Sequence, residues 1–72
     1  MKNEGTIFIT EENLGDGYTE DDTRSVITLM QTEGWDIDYG ISLPWTFADD
    51  HERTEFESDL AYYSDTLVSA SR

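Results

Sequence analysis

From Trp35 to Leu43, apolar residues alternate with small or acidic ones without a break, and Pro44 stops the run. Trp35, Ile37, Tyr39, Ile41 and Leu43 fall on one face, and Asp36, Asp38, Gly40 and Ser42 on the other. A period of two over this length predicts a half-buried strand. Proline ends it because it has no N–H to give to a ladder. Such a strand needs a partner, and Thr6–Thr10 offers one, with Ile7 and Ile9 on one face and Phe8 on the other. Glu11 to Tyr18 contains Asn13, Gly15, Asp16 and Gly17 and reads as a loop. The next stretch carries helix signals at both ends. Thr19 is a candidate N-cap, with Asp22 three residues later, and Glu20, Asp21 and Asp22 suit the positive end of the helix dipole. Val26, Leu29, Met30 and Glu33 share a face with Ile27 on its border. Gly34 can take the left-handed terminating conformation. The spacing predicts a helix over about Glu20 to Glu33. After Pro44, Asp49 or Asp50 can cap a second helix, over about Asp50 to Ser69. Its apolar stripe is Phe56, Leu60, Tyr63, Leu67 and Ala70, flanked by Glu55, Asp59 and Tyr62.

The expected fold is therefore α+β, a single small domain over residues 1–72 in the order β-α-β-α, with a short sheet packed by two helices. Two strands alone make a weak sheet. Only fifteen residues are Leu, Ile, Val or Phe, and there is no cysteine. A core this small normally needs help, so a homodimer contact or an additional short strand is expected to complete it. The aromatic residues carry much of the burial. Trp35 belongs to the core, and Trp45 and Phe47 close it beneath the last helix. Trp45 and Tyr62 are also candidate anchors for a partner, since Trp and Tyr are favoured in that role.

Seventeen acids against four bases leave a net charge of −13. This excludes a free-standing binder of phosphate backbones, which needs a basic footprint, and a polybasic membrane anchor. Met1 to Asn13 lacks the basic region and apolar run of a secretion signal. No stretch approaches the roughly 20 apolar residues of a membrane span, so the expected location is cytoplasmic. Catalysis has little material. The sole histidine, His51, reads as exposed at a helix start, no nucleophile elbow occurs, and paired carboxylates are inevitable among so many acids. Asp36-x-Asp38-x-Gly40 resembles the opening of a calcium loop but lacks the acid and glycine that should follow. No catalytic residue, metal ligand or cofactor is expected.

The functional reading of the excess is mimicry of nucleic acid. Duplex DNA presents one negative charge per roughly 1.7 Å of its axis. Carboxylates in rows can occupy a basic groove and speed the encounter. Asp36 and Asp38 project from one strand face, roughly 6–7 Å apart, and Glu55 and Asp59 are helical neighbours. These four head the expected partner-binding set, followed by Glu20, Asp21, Asp22, Asp49, Asp50 and Glu52, with Tyr62 or Trp45 adding apolar contact. Glu11, Glu12 and Asp16 form a further acidic cluster. In size and charge the chain resembles small acidic phage-encoded inhibitors of host defence, the anti-CRISPR and anti-restriction proteins, several of which imitate DNA. The resemblance implies a basic nucleic-acid-binding target protein, no direct contact with nucleic acid, and a host-cell cytoplasmic location. The alternatives are an acidic regulatory or antitoxin-like module that does not mimic DNA, and a salt-adapted acidic domain.

Overall fold

The computed structural model describes residues 2–41 and 45–70, and of residues 68–70 the backbone alone. The elements are β1 (Ile7–Ile9), α1 (Glu11–Leu14), α2 (Glu20–Thr32), β2 (Ile37–Tyr39) and α3 (Asp50–Ala70). The class is α+β, and the order β-α-α-β-α is the expected one with an extra helical turn, α1. β1 and β2 form a two-stranded parallel sheet in which Ile7 faces Ile37, Phe8 faces Asp38 and Ile9 faces Tyr39. A parallel pair requires a long crossover, and α2 supplies it. Ile7, Ile9 and Ile37 turn inward and join Val26, Ile27, Met30, Trp35, Phe56 and Leu60 in one buried cluster.

Local chemistry sets the helix ends. The Thr19 hydroxyl accepts from the Asp22 N–H at 3.2 Å, and the Asp22 carboxylate accepts from the Thr19 N–H at 3.0 Å, a complete capping box. At the far end Gly34 takes φ 107°, a conformation in which a side chain would be strained. The buried stripe of α2 is Thr23, Val26, Ile27 and Met30. The expected stripe is thus turned toward Ile27, and Leu29 lies 39% exposed. Both stripes contain Val26 and Met30; the packing of α2 against β2 and α3 decides which flank is covered. α3 begins where Asp49 Oδ1 accepts from the Glu52 N–H at 2.8 Å, while Glu52 accepts from the Ala48 N–H at 2.9 Å. Phe56 and Leu60 are buried, Tyr63 and Leu67 pack against the core, and the side chain of Ala70 lies outside the described residues.

The strand expected over Trp35 to Leu43 is corrected to three residues. Thr10, which could have extended β1, instead turns the chain into α1. Its N–H donates to Asn13 Oδ1 at 2.8 Å and its carbonyl accepts from the Asn13 N–H at 3.0 Å. Among the described residues β2 then has nothing to pair with beyond the Gly40 N–H, which donates to the Ile9 carbonyl at 2.9 Å. Ile41, expected inside, is 85% exposed; Ser42, Leu43 and Pro44 lie outside the described residues.

The N-terminal residues hold the segment that leads into β2 in a way the sequence does not announce. The Lys2 N–H donates to the Gly34 carbonyl at 2.8 Å. Asn3, 6% exposed, donates to the carbonyls of Gly5 and Asp36 and accepts from the Asp36 N–H at 2.9 Å. The outward groups of the sheet are also engaged. Trp45 Nε1 donates to the Phe8 carbonyl at 2.9 Å, Gln31 Nε2 donates to the Ile37 carbonyl at 2.8 Å, and the Tyr39 N–H donates to Asp38 Oδ1 at 2.8 Å. Side chains thereby blunt both edges of the sheet against further pairing. Phe56 is the hub of the remaining packing, with its ring 5.1 Å from Trp35, 5.2 Å from Trp45 and 5.5 Å from Phe47. Among the described residues no helix is long and apolar enough to cross a membrane.

Candidate partner-binding surface

Folding divides the carboxylates into those with structural work and those without. Asp36 is half-buried, accepts from Thr6 Oγ1 at 3.1 Å, and has its backbone clamped by Asn3. It precedes β2 and so does not share a strand with Asp38. Asp38 is exposed on β2 and is turned onto the following N–H. Glu55 and Asp59 are indeed neighbours on α3, but Lys2 Nζ reaches them at 3.0 and 3.7 Å. Asp59 also accepts from Trp35 Nε1 at 2.8 Å, and Lys2 lies 5.3 Å from the Trp35 ring centre. The hydrogen bond to Glu55 raises the Lys2 pKa against the opposing effect of burial. With Lys2 between them, these two acids tether the N-terminus to α3 and keep one net negative charge.

Most of the remaining expected residues are likewise occupied. Glu20 binds Arg24 Nε at 2.9 Å, a hydrogen bond that raises the Arg24 pKa, and the Arg24 guanidinium covers the Tyr39 ring at 4.6 Å. Asp22 and Asp49 are helix caps, and Glu52 completes the start of α3. Asp50 lies 3.7 Å from Arg53 at the surface. Trp45 is built into the core margin through its indole bond and its contact with Phe56. Tyr62 is 65% exposed and edge-on to Tyr63. Asp21 is exposed and unpaired.

The free acids lie elsewhere. Among the described residues Glu4, Glu12, Asp16, Asp21, Glu57 and Asp65 are exposed, and their carboxylates make no hydrogen bond or ion pair. Three of them converge where α1 meets α3. Glu12 and Glu57 border one groove, and Glu57 and Asp65 border the next, beside Leu14 and Tyr18. Glu57 and Asp65 sit on α3 away from the Phe56–Leu60–Tyr63 stripe. That placement is legible as soon as the stripe is drawn, whereas their meeting with α1 is not. The bases are spent: Lys2, Arg24 and Arg53 each sit against a carboxylate of the same chain. Of these bases Arg53 also lines the groove that Glu12 and Glu57 border, so among the described residues that groove carries two carboxylates and one guanidinium.

Two tyrosine–carboxylate bonds brace the scaffold. The Tyr39 hydroxyl donates to Glu11, tying β2 to α1, and the Tyr63 hydroxyl donates to Glu33, tying α3 to the end of α2. Each bond, aided by burial, pushes its phenol up to about 12. The Tyr39 bond also lowers the Glu11 pKa. The phenols are raised, so their stabilisation is complete below the unfolded value of 10.0 and is lost as pH climbs through about 12. Lys2 acts in the same direction. Glu11 is depressed, so its share is present above the unfolded value of 4.5 and is lost as pH falls through its folded pKa. The urea midpoint is therefore expected to fall with pH above 10. A Tyr39→Phe, Tyr63→Phe double variant should start lower and fall less steeply over that range. An unchanged alkaline limb in the double variant would exclude these phenols as its cause.

Comparison of the chain with protein-family models, with curated proteins and with solved structures finds no match in any of the three.

Proposed function

We propose that this chain is an acidic inhibitor. It binds the basic nucleic-acid-binding surface of a target protein, such as a CRISPR effector or a restriction enzyme, and blocks DNA access by placing carboxylates where phosphates would sit. The reading is carried by one observation. The described bases are all consumed internally, while unpaired carboxylates remain exposed and gather at the junction of α1 and α3. A single-sign surface of this kind attracts a basic groove and accelerates encounter. Like charges close together work against folding, so their retention fits a binding role.

A competition experiment tests the reading. With a CRISPR effector–guide complex and a restriction endonuclease as targets, the protein and duplex DNA should exclude each other. Affinity should fall as salt rises. Glu57→Lys with Asp65→Lys should slow association about tenfold or more at low salt while the fold is retained. Binding of protein and DNA to the same target molecule at once would refute mimicry. One observation favours a second reading. α3 carries six acids over 21 residues, a length of about 31 Å, and Lys2 pairs with two of them, offsetting one charge. That is sparser than one phosphate per 3.4 Å of strand. An acidic regulatory module that covers a basic protein without imitating DNA needs no phosphate spacing, and simultaneous binding is the result it expects.

A further inference from the structure

The groove between α1 and the first half of α3 has a volume of about 480 Å³, within the range of ligand pockets. Its lining pairs aromatic and aliphatic surface, from Phe8, Trp45, Phe47 and Ile41, with the free carboxylates of Glu12 and Glu57 and one cation, Arg53. Trp45 and Phe47 stand edge to face, with ring centres 6.5 Å apart. Ile41 is 85% exposed at this groove. Gly40 allows the Phe8 ring to lie there, because a Cβ at Gly40 would come within 3.1 Å of that ring. Phosphate mimicry alone calls for carboxylates and has no use for an aromatic wall. A cation with an apolar body uses both. The groove's own Arg53 shows the pairing at one end, since it lies 5.9 Å from the Phe47 ring centre and 3.7 Å from Asp50, leaving the Trp45 side and the carboxylates of Glu12 and Glu57 without a cation bound to them among the described residues.

We infer that this groove receives an arginine side chain from the target's basic surface, its guanidinium lying against the Trp45 and Phe47 rings and paired with Glu12 and Glu57. Arginine suits the site better than lysine. Its guanidinium is planar, stacks on aromatic faces, is weakly hydrated, and meets carboxylates through two parallel hydrogen bonds. An arginine that normally grips a phosphate would be drawn off its substrate and buried beside an aromatic ring. The inference rests on the basic-partner reading above and makes that contact specific.

The test uses the intact protein and three short blocked peptides, Gly-Arg-Gly, Gly-Lys-Gly and Gly-citrulline-Gly, followed by the Trp45 indole and Ile41 methyl resonances. The arginine peptide should shift both resonances saturably at millimolar concentration. The lysine peptide should bind more weakly, and citrulline, an uncharged isostere, should not saturate. Glu12→Gln with Glu57→Gln should weaken arginine binding about tenfold or more with melting temperature retained. Equal binding of citrulline and arginine overturns the proposal, as does the absence of a saturable shift. Shifts of Ile41 with protein concentration alone overturn it too, by assigning the groove to a second copy of the chain. The two proposals fail separately. A groove that binds the arginine peptide in a protein that leaves DNA bound to its targets refutes the inhibitor reading alone. DNA displacement without peptide binding refutes the groove alone.

Discussion

Phe56→Ala is expected to leave most of the chain unfolded in mild urea. The ring is fully buried and touches Trp35, Trp45 and Phe47 at once. Truncating a buried phenylalanine costs about 3–5 kcal/mol through lost transfer energy and the cavity left behind. The chain has 72 residues, and at roughly 0.05–0.15 kcal/mol per residue its whole stability is about 4–11 kcal/mol. The loss is therefore comparable with the total. No disulfide limits the damage. Urea denaturation followed by far-ultraviolet circular dichroism should show the midpoint lowered by half or more. The near-ultraviolet signal of the two tryptophans should collapse in parallel. Phe56→Leu keeps much of the volume and should cost only about 1–2 kcal/mol. If the alanine variant melted like the parent, Phe56 would not be the hub of the core.

Asn3→Ala should cost about 2–6 kcal/mol, an unusual effect for a residue so near a terminus. Its side chain holds Gly5 and both backbone groups of Asp36. The Asp36 carbonyl keeps the Ile7 N–H as a partner, but the Asp36 N–H loses its acceptor. An orphaned donor costs about 1–3 kcal/mol, and the other lost bonds add about 0.5–1.5 kcal/mol each. For a domain of this size, each kcal/mol shifts the melting temperature by roughly 4–8 °C, so a fall of about 10 °C or more is expected. Hydrogen exchange locates the effect, since the Asp36 amide should lose protection first. The change also loosens Lys2 and so frees Glu55 and Asp59, making the surface more negative. An unaltered melting temperature would mean that the N-terminal residues do not hold the sheet.

The parts of the fold legible in the sequence are those whose causes are local. Thr19 and Asp22 are three residues apart and cap each other whatever surrounds them, so the start of α2 was readable. The period of α3 was readable for the same reason, as was the inward face of Ile7 and Ile9. The end of β2 was not. The alternation continues to Leu43, but a ladder needs two strands, and Thr10 diverts its partner into α1. Asn13 and Gly15 looked like loop residues because a helix of one turn has no period to detect.

The candidate surface divides in the same way. Asp36, Asp38, Glu55 and Asp59 had no local reason to be acidic, which made them the leading candidates from sequence. The tertiary structure supplies reasons for three of them: Thr6 beside Asp36, and Lys2 and Trp35 beside Glu55 and Asp59. Asp38 alone is satisfied by a neighbour in sequence. Of the six acids left free, Glu12, Glu57 and Asp65 gain their significance from the laying of α1 against α3.

The sequence by itself determined the sign of the surface, because seventeen carboxylates cannot be balanced by four bases however the chain folds. It also determined where the long helices begin, because capping and periodicity act over a few residues. Only the tertiary structure decided which carboxylates are spent and which are free. A charge is neutralised by whatever lies within a few ångströms of it, and in a folded chain that neighbour comes from a distant part of the sequence.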